Sequence, residues 1–211
     1  VSLNSIADGI RFILSKPIIF STMMIDFVAT FFASASTLMP IIAKDVLNVG
    51  VVEYGYLSAA SAVGAVAVAL VISQVKEIRR QGTVFVTAVI VFGIATIIFG
   101  VTKSFFVAWL AIAVTGGADG VSTIVRNTIR QLQTPDHVRG RMTSINQIFF
   151  MGGPQLGEIE AGAVAQFFGA PFAVITGGIG CILGALWIVW KWPQLKTYNG
   201  DEPMLAGATA D

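Results

Sequence analysis

The chain has 211 residues, of which 55% are hydrophobic and only 12% charged, and its formal net charge is +1. A soluble domain is nearer a quarter charged, so the composition excludes most soluble enzyme classes and gives no basic surface for nucleic acid. One cysteine, Cys181, and one histidine, His137, exclude an intrachain disulfide and any Cys- or His-rich metal cluster.

Residues 1–16 read as an amphipathic helix. Leu3, Ile6, Ile10, Ile13 and Leu14 follow a helical period, with Asn4, Asp8, Arg11 and Ser15 on the other face; such a helix would lie on a membrane surface. Lys16 and Pro17 open the first of six apolar stretches, at 17–43, 54–75, 83–102, 104–125, 143–168 and 172–190. Each reaches the roughly 20 residues a helix needs to cross a hydrocarbon core about 30 Å thick. The expected fold is all-α: a polytopic membrane protein with a six-helix bundle over 17–192. Most loops are short. The longest, between spans four and five, contains Thr134-Pro135-Asp136, which reads as an N-cap, a first-turn proline and a first-turn acid opening a short helix to Arg141. Residues 193–211 read as a disordered polar tail.

The basic residues give an orientation. Arg11 and Lys16, then Lys76, Arg79 and Arg80, then Arg126, Arg130, Arg139 and Arg141, then Lys191 and Lys196 all fall on one side, against Lys44 and Lys103 on the other. The positive-inside rule makes the rich side cytoplasmic, with both termini there. Gly116 and Gly120, Gly153 and Gly157, and Gly180 and Gly184 are spaced for close helix packing. Gly152-Gly153-Pro154 is expected to kink span five, because proline removes a backbone hydrogen bond.

Four acids lie well inside the spans: Asp26, Asp119, Glu158 and Glu160. A charge at mid-bilayer costs about 2.5–3.5 kcal/mol on insertion scales, so such residues default to functional candidates. Thr22 and Thr30 share the face of Asp26, one helical turn to either side. Gln155 accompanies Glu158, whereas Glu160 points some 200° away and is expected in a buried interhelical bond. Asp26 and Glu158, with Thr22, Thr30 and Gln155, are the candidates for a proton or substrate pathway. Asp119 is a candidate proton-entry or gate residue, with the alternative of a local salt link to Arg126. Arg126, Arg130, Asp136, Arg139 and Arg141 are candidates for a cytoplasmic gate or latch, with lipid-headgroup anchoring as the alternative for the loop TPDHVRGR at 134–141. No glycine-rich phosphate loop ending in Lys-Ser/Thr is present, so no nucleotide and no cofactor is implied. No G-x-S-x-G and no intramembrane histidine point to a protease, and no enzyme activity is expected.

The run RNTIRQLQTPDHVRGRMTSINQIFFMGGPQLGEIEAG at 126–162, with IADGIRFILSKP at 6–17, resembles the C-terminal half of a major facilitator superfamily transporter of the enterobactin-exporter-like branch. The resemblance implies that the spans correspond to helices seven to twelve of twelve. The seventh and tenth would line a central cavity, the eighth and eleventh would face the other half, and the ninth and twelfth would be peripheral. It further implies proton-coupled export of a small organic molecule, siderophore or drug-like, by alternating access in the bacterial inner membrane. The substrate site of such transporters lies between two halves, so the chain is read as one half whose partner is an N-terminal six-helix half or a second copy. The rival reading is a non-transporting half-fold serving as a structural or regulatory subunit.

Overall fold

The computed structural model describes residues 10–33 and 36–200, leaving aside the side chains of Ser36 and His137. Most of the amphipathic segment expected at 1–16 therefore lies outside the described residues, although 10–15 are helical. The described chain is all-helical. Its main helices are α1 (Pro17–Ala33), α2 (Val51–Ser73), α3 (Gln81–Val101), α4 (Phe105–Leu132), α5 (Asp136–Phe168) and α6 (Ala170–Lys191), followed by the short α7 (Gln194–Thr197). Four of them, α2, α3, α4 and α6, are long and apolar enough to cross a membrane.

Several boundaries differ from the sequence reading, each for a physical reason. The first apolar stretch is not one regular helix: after α1 the backbone runs as a 3-10 turn (Ser36–Leu38), a short α segment (Met39–Ile41) and a π-helical turn (Ile42–Val46). Pro40 lies inside this stretch and has no amide to donate. The chain recovers pairing with wider bonds, the Leu47 amide to the Ile42 carbonyl at 2.9 Å and the Val49 amide to the Ala43 carbonyl at 3.0 Å. Helix α4 continues seven residues past the expected end at 125, to Leu132. The short helix expected to end at Arg141 is instead the first turns of α5, which is continuous over 33 residues and includes Pro154. Thr134 does not cap it; its hydroxyl donates to the Arg130 carbonyl at 2.6 Å, closing α4. Gly169 alone separates α5 from α6, at φ 87° and ψ 155°, a conformation essentially confined to glycine.

The expected tail is also different. Leu195 and Tyr198 are fully buried. The first turn of α3 has no side-chain cap, and the tail meets one of its free amides: the Gly82 amide donates to the Tyr198 carbonyl at 3.1 Å, and the Thr83 hydroxyl adds a bond to the Lys196 carbonyl at 2.9 Å. Gln133 Nε2 at the end of α4 donates to the Tyr198 hydroxyl at 3.1 Å. Residues 201–211 lie outside the described residues.

The helices pack as two groups of three. Helices α1, α5 and α6 contact one another; α4 contacts both α2 and α3; and α3 against α6 joins the groups. Exchanging α1, α2 and α3 for α4, α5 and α6 maps the principal contacts onto themselves: α2 on α4 becomes α5 on α1, and α3 on α4 becomes α6 on α1. The added contact of α5 with α6 has no strong counterpart between α2 and α3. The closest seams use small residues. On α2, Leu57 and Ala60 are buried and Gly64 follows one turn on; a methyl group at Gly64 would strike the Ala113 carbonyl of α4, and one at Gly116 would strike the Ser61 carbonyl of α2. The equivalent seam places Gly157 of α5 on the Phe31 carbonyl of α1. Backbones this close gain dispersion contact along their whole length, the main attraction available between helices in lipid.

Gly64→Ala is expected to destabilise the fold by about 1–3 kcal/mol through overpacking. Gly55→Ala, which adds its methyl to open space on the same helix, should be neutral or stabilising by under about 1 kcal/mol. Thermal unfolding of the two variants in one detergent checks this.

Candidate functional site

The site is built where α1 crosses α4, the pair of helices that the internal exchange maps onto each other. Asp26 sits in the middle of α1 and is 3% exposed; Arg126 and Arg130, one turn apart on α4, are 3% and 2% exposed. Arg126 Nη1 pairs with Asp26 Oδ1, and Arg130 Nη2 lies 3.5 Å from Asp26 Oδ2. The carboxylate is thus forked between two guanidinium groups. Thr22, fully buried, completes the arrangement: its hydroxyl donates to the Ile19 carbonyl at 2.8 Å and accepts from Arg130 Nε at 3.3 Å. Arg126 also donates to the Ser122 hydroxyl at 3.4 Å, and its guanidinium lies 5.9 Å from the centre of the Phe150 ring of α5.

Arg126 has a second acid. Asp119 Oδ1 lies 3.8 Å from Arg126 Nη1, two turns back along α4, and the Asp119 side chain is 54% exposed. Two carboxylates and two guanidinium groups therefore form one balanced set, with Arg126 shared between a sealed acid and an open one. Each ion taken from water into a protein interior costs several kcal/mol, and close pairing is what returns it. Neutralising the set locally lets four ionisable groups sit on apolar helices.

This corrects the placement of the arginines. The sequence places Arg126 and Arg130 in the loop between spans four and five, as candidates for a cytoplasmic gate or latch; both are inside α4 and buried, with Asp26 of α1 as their partner. Asp136 and Arg139 pair with each other at 2.8 Å on the exposed start of α5, a surface contact of little energetic weight, and Arg141 is exposed beside them. Glu158 is half-buried and Gln155 exposed on α5. Glu160, expected in a buried interhelical bond, is half-buried and has no hydrogen-bond partner among the described residues. Of the residues expected at the helix kink, Gly153 abuts the Thr30 hydroxyl, whereas Gly152 faces open space. Among the described residues no group of His, Cys, Asp or Glu could hold a metal ion.

Beside the ion pairs lies a cavity of about 340 Å³. Thr30 of α1, Ser61 of α2, Thr96 of α3, Thr115 and Asp119 of α4, and Phe150 and Pro154 of α5 line it. Asp119 is its one charged residue; Asp26, both arginines, Gln155, Glu158 and Glu160 are outside the lining. Ser61, Thr96 and Thr115 were not singled out in the sequence. The signal for Ser122, Arg126 and Arg130 was there, since with Asp119 they recur every three or four residues on one face of α4.

The model of the family described as transmembrane secretion effector matches residues 2–203. Among curated proteins, the chain is 22% identical over 206 residues to the enterobactin exporter of Citrobacter koseri, covering 98% of this chain and 49% of that protein. It is 21% identical, with the same coverage, to the enterobactin exporters of Shigella boydii serotype 18 and Escherichia coli strain SMS-3-5. The chain spans about half the length of the curated relatives it matches.

Removing the central acid should be costly. Asp26→Asn strands two buried cations and is expected to destabilise the protein by about 3–5 kcal/mol. Adding Arg126→Met should give a double variant less destabilised than the sum of the singles, by about 0.5–3 kcal/mol. Thermal unfolding of the four proteins of the cycle measures the coupling.

Proposed function

The chain belongs to the transmembrane secretion effector family of the major facilitator superfamily, and from that premise we propose that it forms one half of a secondary transporter exporting a small organic molecule. In this reading all six helical stretches span the bacterial inner membrane, the two beyond the clearest four being the interrupted stretch from Pro17 to Val46 and the more polar α5. The distribution of Lys and Arg supports placing both termini in the cytoplasm. The exposed faces of α2 and α5, which the internal exchange maps onto each other, are where an N-terminal half or a second copy would dock. Alternating access then rocks the two halves about a site between them.

The observation that bears most on mechanism is the sharing of Arg126 between Asp26 and Asp119. Asp26 is sealed and doubly paired, which suits a fixed anchor. Asp119 is open and loosely paired, which suits the group that takes up and releases a proton. With Asp119 ionised, Arg126 is held from two sides; with Asp119 protonated, Arg126 belongs to Asp26 alone and the set is left with one excess positive charge. A difference of this kind biases two arrangements of α1 against α4, and bias between states is what coupling requires. Glu158, half-buried on α5, is the second candidate for the pathway.

Asp119→Asn is expected to keep normal membrane abundance while lowering proton-driven efflux at least about tenfold, the scale of a lost charge-assisted contact. Efflux of a fluorescent dye panel from cells, read with abundance on an immunoblot, checks it; normal efflux by the variant removes Asp119 from the mechanism. For orientation, single cysteines at 79 and 103 in a Cys181→Ala background should label differently in intact spheroplasts. A membrane-impermeant maleimide should reach position 103 and not 79.

A further inference from the structure

The walls of the cavity beside Asp119 offer mainly hydrogen-bond acceptors, Ser61 being the one lining hydroxyl that donates to no acceptor among the described residues. Three of the hydroxyls that line it spend their hydrogens on their own helices: Thr30 donates to the Asp26 carbonyl at 2.8 Å, Thr96 to the Phe92 carbonyl at 2.9 Å and Thr115 to the Ile112 carbonyl at 2.7 Å. What they can offer a guest is lone pairs. The Asp119 carboxylate, an acceptor when ionised, adds the only charge. Phe92 and Phe99 supply ring surfaces, whose faces attract positive charge; Phe150 also lines the space, with the Arg126 guanidinium 5.9 Å from its ring centre. Neither arginine of the ion-pair set lines the space; Arg126 approaches the Asp119 carboxylate from outside the lining, at the loose distance of 3.8 Å.

The cavity is also reachable. Ser61, Gly116 and Asp119 line both the cavity and a groove that runs between α2 and α4 past Ser58 and Thr123. Asp119 thus stands at the mouth shared by the two, with more than half of its side chain exposed (54%).

We propose that this cavity is a binding site for a protonated amine carrying an apolar or aromatic group, with the ammonium on Asp119 and the threonine oxygens and the apolar part against the phenylalanines. An ammonium has donors and no acceptor, the complement of these walls. An alcohol of the same shape lacks the charge, and a carboxylate would meet Asp119 with like charge. The inference stands on the lining itself. It also deepens the exporter reading by naming a cargo class, since proton and ammonium would compete for one carboxylate.

The test is equilibrium dialysis of radiolabelled phenethylammonium against the purified polypeptide in lipid nanodiscs, with phenethyl alcohol and 3-phenylpropionate as shape-matched controls. Saturable binding of the amine is expected, at least about tenfold tighter than either control. Asp119→Asn should abolish the preference for the amine, and Thr96→Val should weaken binding several-fold. Both substitutions are near-isosteric, and the size-exclusion profile shows whether each variant is folded. Equal uptake of all three compounds, no uptake of the amine, or full amine preference in folded Asp119→Asn overturns the proposal. Amine binding without efflux would sink the exporter reading and leave this one standing; efflux of other compounds without amine binding would do the reverse.

Discussion

A carboxylate buried between two guanidinium groups sets the terms for the rest of the structure. A carboxylate buried on an apolar helix is costly unless cations reach it, so α1 and α4 must cross where Arg126 and Arg130 can fork onto Asp26. That crossing fixes the relative height and rotation of the two helices, and each group of three packs around its own member of the pair. Thr22 and Ser122 take up further guanidinium donors, so the charge is met by geometry as well as by sign. The attraction is nearly isotropic, and the hydrogen bonds supply the direction.

Around this crossing the attraction is dispersive. Gly64 against Ala113 and Gly157 against Phe31 bring whole backbones into contact, and these seams join α2 to α4 and α5 to α1. Such contacts have little tolerance for rotation, because the first atom added to the glycine collides with a carbonyl. Each seam therefore behaves as a rigid unit, and any rearrangement must use softer joints. The stretch from Ser36 to Val46 is one, since its backbone changes hydrogen-bond spacing twice within eleven residues around Pro40. The cavity lies against it, with Met39 in its lining.

The all-helical character and the four clearest spans could be read from hydropathy, because lipid leaves a backbone little choice but the helix. The close seams were legible in part from paired glycines, although Gly64 and Gly177, which belong to no pair singled out in the sequence, make some of the tightest contacts. The ion-pair set was harder to see. Hydropathy falls at Arg126, and a lone arginine reads as the end of a span. Only the matching acid on another helix, 100 residues earlier, makes it an interior residue. One-dimensional averaging cannot register such compensation. Tyr198 was missed for a related reason: it lies among polar neighbours that read as a tail, yet its own carbonyl and that of Lys196 accept hydrogen bonds from Gly82 and Thr83 at the start of α3. The cavity's threonines are silent in sequence, because a hydroxyl bonded to its own helix passes for an apolar side chain.

The seating of Tyr198 has a practical side. The residues from Gln194 to Tyr198 act as a clasp across the start of α3 and the end of α4. A truncation placed ahead of Tyr198 unfastens those helix ends and bares the Gly82 amide of α3, whereas a fusion joined beyond Gly200 leaves the clasp shut. The distance between a reporter fixed there and one on the opposite side of the bundle would register tilting of α3 and α4 together, as a unit, without a label in the site itself.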